Sequence, residues 1–409
     1  MRVADADDAR RFIELARARE LPLAVRGGGH NVAGNALCEG GIVIDWSERR
    51  GVSVAPEQRL AQARPGATWR DFDAATQAHG LATTGGLVST TGVAGFTLGG
   101  GFGWVVRKHG LAADNLVAAD VVTANGDLVR ASEEENADLF WALRGGGGNF
   151  GVVTAFEYRL HPLTAVLGGL VVHPRERAAE VLHLFRELTA AAPDELTVMA
   201  ALLTGRDGHP VIGLGACYAG DPEQGEEVMR PLRTFGPPLI DEIGPMPYVA
   251  LQQMFDQSAP AGALNYWRSA FLGEVSDGAI ETLVAHAAEM PRPMTQIHLH
   301  HLGGAMARVP ADATAFAHRD APYIYSIIGM WREPHETDAG VAWVRGLREA
   351  VQPFGAGAYV NFMGEEGEQR VHAAFGANYE RLAQVKAKDD PTNFFHVNQN
   401  INPRPLEQG

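Results

Sequence analysis

Cysteine is almost missing. Cys38 and Cys217 are the only two in 409 residues, too few for a disulfide framework and without metal-ligand spacing. Positive charge is short as well: 34 Lys and Arg stand against 49 Asp and Glu, for a formal net charge of −15 and a pI near 5.4. With no basic tract, nucleic acid and anionic membrane surfaces are disfavoured as partners. No apolar run reaches membrane-spanning length. The N-terminus MRVADADDARRF has neither an apolar core nor a small-residue cleavage site. A cytoplasmic protein with no membrane partner is therefore expected. Neither G-x-x-x-x-G-K-[ST] nor G-x-S-x-G occurs, which removes P-loop phosphoryl transfer and the nucleophile elbow. Internal repeats and low-complexity segments are also lacking. A hydrophobic content of 46% still allows two or three packed domains.

What the chain has is glycine, 48 residues of it, in clusters. The central stretch Gly85–Gly103, GGLVSTTGVAGFTLGGGFG, contains eight glycines in nineteen residues and no charge or proline. Glycine at this density is costly inside a helix or strand. Two smaller clusters frame it: Arg26-Gly27-Gly28-Gly29-His30-Asn31 and Arg144-Gly145-Gly146-Gly147-Gly148-Asn149-Phe150-Gly151. Exposed backbone N–H groups suit anionic oxygens, so the three together suggest walls around one large, phosphate-bearing molecule. Apolar flanks such as Val93, Phe96, Leu98 and Phe102 argue against flexible linkers, which are polar and Ser-rich. His30 is either a turn histidine bonded to backbone or a group that attaches or orients a cofactor.

Local signals order the chain. Asp5 or Asp7 can cap a first helix whose inward stripe is Phe12, Ile13, Leu15 and Ala16. Leu21–Val25, Gly41–Trp46 and Leu60–Arg64 read as strands. Thr68-x-x-Asp71 resembles a capping box opening a helix that Gly80 closes. Leu116–Thr123 and Asp127–Arg130 flank Asn125-Gly126, a two-residue hairpin signal. Ala137–Leu143 reads as a helix and Val152–Leu160 as a strand. Gly146-x-Gly148-x-x-Gly151 thus follows a helix and precedes a strand, the reverse of a Rossmann fingerprint, which is rejected.

Composition changes near His161-Pro162. From about Val166, strands alternate with longer amphipathic helices such as Arg175–Ala191 and Glu223–Thr234, which points to an antiparallel sheet covered by helices. His298 and His300 of His298-Leu299-His300-His301 would share one strand face, but no third ligand has convincing spacing, so no metal is expected. Tyr323, Tyr325 and Tyr359 lie in strand-like runs. The amide- and aromatic-rich tail Pro391–Pro403 is expected to dock back onto the fold.

The motifs RGGGHN (Arg26–Asn31), GVAGFTLGGGFG (Gly92–Gly103), GLAADN (Gly110–Asn115), GGGGNFG (Gly145–Gly151) and the PTNFFHVNQNINP tail span nearly the whole chain. Together they resemble the FAD-linked oxidases typified by vanillyl-alcohol oxidase, and within them the berberine bridge enzyme-like group with its bacterial 6-hydroxy-D-nicotine oxidase-like members. The resemblance implies an α+β protein: a two-subdomain PCMH-type FAD-binding domain over residues 1–165, completed by 385–409, and a substrate domain over 166–384 with an antiparallel sheet covered by helices. FAD would be held by Arg26, Gly27, Gly28, Gly29, His30, Asn31 and Gly34 from the first cluster. The central run would add Gly85, Gly86, Val88, Gly92, Val93, Gly95, Phe96, Leu98, Gly99, Gly100, Gly101 and Gly103. Asp114, Asn115, Gly148, Asn149, Gly151 and Val152 follow, and Asn398 and Asn400 return beside the ring. His30 matches the histidine joined to the flavin 8α-methyl carbon. Relatives often carry a second link through cysteine, at the position of Val88 here, so a single covalent bond is expected.

Three departures qualify what is carried over. The family usually has one more strand before Met1, so the start reads as truncated. Thr91 replaces the Val frequent in oxygen-reactive relatives. Ser326 stands where a Glu or Gln base often approaches the flavin, which leaves Tyr359 as the best matched acid–base residue, with Tyr323 and Ser326 as further catalytic candidates. A phenol has an unperturbed pKa of about 10 and would need help to ionise. The expected activity is an oxidase passing a hydride from an alcohol, amine or phenolic natural product to flavin N5 and electrons to O2. The alternatives are a dehydrogenase with a quinone or protein acceptor and a flavin-sequestering protein without turnover. Tyr266, Trp267, His300, Tyr323 and Tyr325 suit an aromatic or polycyclic small-molecule substrate. The expected assembly is a monomer or homodimer.

Overall fold

The computed structural model describes residues 1–291 and 293–403. The first helix, Ala6–Ala18, begins where Asp5 accepts the N–H of Asp8, and it buries Ala9, Ile13 and Ala16. That face packs on a parallel pair of strands, Leu23–Arg26 with Ile42–Asp45. The Thr68/Asp71 capping box is formed in full at the start of helix Trp69–Gln77. Each half satisfies an orphan N–H of the helix terminus.

A five-stranded antiparallel sheet follows, built from Val52–Ala55, Leu60–Ala63, Val152–Arg159, Leu116–Val122 and Leu128–Ser132 in that spatial order. Its edge strand Val52–Ala55 was not expected, because Val-Ser-Val-Ala ends at a Pro and is too short to display a period. The hairpin at Asn125-Gly126 exists, but its loop is Ala124, Asn125 and Gly126: Thr123 and Asp127 pair, and Gly126 alone takes a positive φ, +87°. Asn125 keeps negative φ, so this is a turn closed by a left-handed glycine rather than a two-residue primed turn.

A nine-stranded, wholly antiparallel sheet occupies the middle of the chain. Its central strands are Pro210–Tyr218, Leu196–Thr204, Gln296–His301, Tyr323–Trp331 and Leu264–Leu272. Helices Ala178–Ala190, Pro222–Thr234, Asp277–Ala288 and Thr337–Val351 cover one face and share its apolar core. The other face turns toward the glycine-rich part, where Phe102 and Tyr359 pack with Phe271 and Ile324. None of the described helices is long and apolar enough to cross a membrane.

The chain rejoins the core of the five-stranded sheet from Ala358 onward, through Met363, Phe375, Tyr379 and Leu382, well before residue 385. The tail docks as expected over its described part; residues 404–409 of the anticipated segment lie outside the described residues. Lys386 and Asp390 hold it. Both side chains are fully buried, 2.7 Å apart, and Lys386 Nζ also donates to the carbonyls of Asn149 and Phe395. Asp390 accepts the N–H groups of Phe394 and Phe395. With every lone pair and proton used, the pair meets the condition under which a buried ion pair is tolerated.

One buried carboxyl lacks such compensation. Asp73, on helix Trp69–Gln77, has no solvent exposure and accepts one hydrogen bond, from Gln252 Nε2 at 3.0 Å. Burial raises its pKa to about 7, with the Gln252 bond opposing. A carboxyl that binds its proton more tightly when folded stabilises the fold at low pH and loses that contribution as pH rises through its folded pKa. Asp73→Asn should therefore leave the melting temperature nearly unchanged below pH 4 and raise it relative to the unsubstituted protein above pH 7. Equal melting temperatures at both pH values would show that Asp73 does not titrate in the fold.

Candidate functional site

The first glycine cluster lies directly on the central one. A Cβ added at Gly28 would stand 2.3 Å from the nitrogen of Gly92, and one at Gly92 would stand 2.4 Å from the nitrogen of Gly28. No other residue type fits at either position. Beyond this crossing, the N–H groups of Gly28, Gly29, His30 and Asn31 have no backbone acceptor among the described residues. Gly29 takes φ +75° and Gly34 +78°, left-handed positions suited to glycine. His30 is exposed at the mouth, with Nε2 3.1 Å from Thr90 Oγ1. Neighbouring atoms still exclude enough water to lower its pKa, Asp256 partly opposing. The imidazole is therefore neutral at physiological pH.

The predicted cofactor glycines fall into two sets. Gly85, Gly86, Gly99, Gly100, Gly101, Gly103 and Gly151 are small because protein packs against them; Gly103, for instance, would meet the carbonyl of Gly85 at 1.8 Å. Gly34, Gly95 and Gly148 have nothing within 4 Å of an added Cβ, so their bare faces border open space. Gly95 sits inside a short helix, Val93–Leu98, a regular element that the glycine density had argued against. Val93, Leu98 and Val152 are buried, while Val88 and Phe96 are half-buried.

Other predicted contacts are occupied by the protein itself. Asp114 forms a bidentate pair with Arg319, both bonds 2.7 Å, and accepts Leu111 N–H. Asn115 bonds the carbonyls of His109 and Leu111 and the ring of His161. Asn149 ties Gly146, Gln399 and Ile401 together. These three build the walls. Asn398 and Asn400 differ: each donates within the tail region or to Gly148, yet each keeps a buried Oδ1 without a partner among the described residues. Unpaired buried acceptors of this kind call for a donor from a bound group.

Strand alternation sorts the catalytic candidates. Tyr323 and Tyr325 point into the helix-covered core, and the Tyr323 hydroxyl lies 2.8 Å from Thr189 Oγ1. Tyr266 faces the same way and bonds Arg268 and Arg345. These three tyrosines lie behind the sheet, away from the glycine loops, because consecutive strand residues alternate faces. Ser326 shares the open face with Ile324, and Trp267 and His300 are on that side too. Ser326 Oγ is buried without a partner.

Tyr359 is not in a strand. It precedes a single turn, Val360–Phe362, and its oxygen accepts Gly101 N–H at 3.0 Å and Asn361 Nδ2 at 2.9 Å. Burial raises its pKa above 10 despite those two donors, so it is protonated at rest. His300 packs edge-on to Phe102, and its Nε2 is buried without a partner. Burial lowers His298 to about 4 and His300 well below 6.5; both are neutral. A cavity of about 10 Å³ between Phe102, Trp104, Thr197, Met199 and His300 has room for one water.

The comparisons bear on this arrangement. An "FAD binding domain" family model matches residues 1–132 and a "Berberine and berberine like" model matches 358–402. An FAD-linked oxidoreductase of Dictyostelium discoideum is 32% identical, over 97% of this chain and 86% of its own length. (R)-6-hydroxynicotine oxidase of Paenarthrobacter nicotinovorans is 30% identical, over 98% and 90%. The crystal structure of 6-hydroxy-D-nicotine oxidase from Arthrobacter nicotinovorans superposes with a TM-score of 0.88 at 25% identity, over 98% of this chain and 91% of that one.

The open glycine faces and the unpaired asparagine oxygens fit a bound FAD. Gly95→Leu should leave the fold intact, since no protein atom opposes the new Cβ and leucine is the better helix former by up to about 1 kcal/mol. With His30→Ala as the background, so that no covalent bond holds the flavin, FAD affinity should fall by at least about tenfold, ~1.4 kcal/mol, measured by titration of the deflavinated protein. Unchanged affinity would show that this face does not border the cofactor.

Proposed function

The chain belongs to the berberine bridge enzyme-like FAD-linked oxidoreductases, and on that premise we propose that it is an oxidase joined to its flavin through His30. FAD, held by the glycine run and the Asn398–Asn400 tail, would supply the two-electron chemistry, accepting hydride from a substrate C–H bond and passing electrons to O2 to give hydrogen peroxide. The protein's share is to bind, orient and manage one proton. The observation that carries this reading is the convergence of the Gly28–Gly92 crossing, the open faces of Gly95 and Gly148, and the unpaired Oδ1 atoms of Asn398 and Asn400.

The working units we infer are a cofactor-binding unit over residues 1–165, completed by the C-terminal return, and a substrate unit built on the nine-stranded sheet. His30 projects from the cleft mouth as a neutral imidazole, the state a nucleophilic nitrogen needs. Val88 offers no thiol for a second link. Substrate lies against the sheet face of Trp267, Ser326 and His300. An alcohol, an amine or a phenolic compound with an aromatic ring suits the rings of Phe102, Trp267 and Phe362.

Tyr359 is the proposed hydroxyl partner of the substrate. The two donors on its oxygen, Gly101 N–H and Asn361 Nδ2, favour the phenolate that would take the substrate's O–H or N–H proton, with a nearby cation or the flavin itself lowering its pKa. Tyr359→Phe should slow anaerobic flavin reduction by at least about tenfold once a reducing substrate is found among alcohols, amines, sugars and polyphenols. An unchanged rate would remove Tyr359 from the chemistry.

Thr91 supports a second reading, a dehydrogenase with a non-oxygen acceptor. Stoichiometric peroxide with air as sole oxidant is the outcome expected of the oxidase; turnover only with a quinone would favour the dehydrogenase. Acid precipitation tests the attachment. Yellow colour should stay with the denatured protein and be released from His30→Ala; full release from the unsubstituted protein would refute the bond.

A further inference from the structure

One carboxylate from the sheet-bearing half of the chain reaches into the central glycine run. Asp256 opens the turn Asp256–Ser258 and is separated from Ser89 by 167 positions in sequence. Its Oδ1 accepts Ser89 N–H at 2.7 Å, and its Oδ2 accepts the Ser89 hydroxyl at 2.7 Å and Arg70 at 2.8 Å. The backbone N–H of Arg70 donates to the Ser89 carbonyl at 2.8 Å, and its guanidinium to Ser89 Oγ at 3.2 Å. Ser89 is fully buried and clamped through its N–H, hydroxyl and carbonyl. Partial burial alone would raise the carboxyl's pKa, but the bonds from Ser89 and Arg70 outweigh it and keep Asp256 below its usual value, hence ionised.

The residue after this clamp is Thr90, whose hydroxyl lies 3.1 Å from His30 Nε2. His30 itself is on an exposed loop and, among the described residues, has no other hydrogen bond to a side chain. An imidazole held by a fixed hydroxyl spends more of its time in one orientation than a free one, and orientation is what a bond-forming encounter rewards. We propose that Asp256 is a positioning residue for flavin attachment: it fixes Ser89, Ser89 fixes Thr90, and Thr90 sets the ring of His30.

This rests on the attachment reading above. In that reaction a bond forms between an imidazole nitrogen and the flavin methyl carbon, while one C–H and the imidazole N–H are lost. The two protons and two electrons released leave finally with O2 as hydrogen peroxide. Asp256 touches none of these atoms; it acts through the turn.

The test compares the rate at which flavin-free protein, produced under riboflavin starvation and then incubated with FAD, acquires flavin that survives acid precipitation. Total bound FAD before precipitation is measured alongside, because a merely structural role would lower both together. Asp256→Asn should slow attachment by about tenfold at matched total FAD, and Asp256→Glu should recover part of the rate. Thr90→Val, which keeps the shape and removes only the hydroxyl, should slow attachment similarly even where Asp256→Asn folds poorly. Attachment as fast in Thr90→Val and Asp256→Asn as in the unsubstituted protein would overturn the positioning role alone. Release of all flavin from the unsubstituted control would overturn the attachment reading, and this inference with it.

Discussion

Two backbones that touch without side chains between them set the geometry of this molecule. Gly28 ends the chain's exit from its parallel strand pair, and Gly92 opens the short helix of the central run; neither position has room for a Cβ. A methyl group at either one would have to push backbone away, in a region where the central run is pinned. Val93 donates to Ala67, and Trp69 to Thr91. Everything on the cofactor side follows from this contact, because it brings His30 and Thr90 to one edge of a single cleft.

The far walls are held by a different kind of interaction. Lys386 and Asp390 spend a fully buried ion pair on joining the third glycine cluster to the C-terminal tail. Removing one partner of such a pair costs about 3–5 kcal/mol, although the intact pair contributes little net stability. Its use here is placement: it sets Asn398 against Gly148. Arg319 does the same on the other side, reaching across 205 positions to Asp114 with two bonds of 2.7 Å. Segments distant in sequence are thereby locked around one space, and the nine-stranded sheet closes it with a face that carries Trp267, Phe271 and His300 among small and aliphatic residues.

Much of this was legible in the residues. Local hydrogen-bond chemistry gave the cap at Asp5 and the box at Thr68 and Asp71, since those signals depend on a few neighbours. The cluster order pointed to the cofactor. What stayed hidden was non-local. Nothing in Gly95 or Gly103 says which borders open space and which abuts a carbonyl. Tyr323 and Tyr325 carry the same composition signal as Trp267, yet strand parity turns them to the opposite face; only the register of the sheet decides that. Asp114, Asn115 and Asn149 match cofactor motifs but serve the walls. Asp256 had no signal at all, being one aspartate among many until the fold sets it on Ser89. Thr90 was likewise visible only once its neighbours were known.

The account stands on the claim that these loops converge to enclose one flavin nucleotide per chain. Quantifying flavin against protein in purified material, with and without added FAD, tests it most directly. A blue-absorbing band corresponding to one FAD per chain, present on isolation or restored by uptake, is the expected result. Protein that is colourless and takes up no FAD, while still folded, would contradict it.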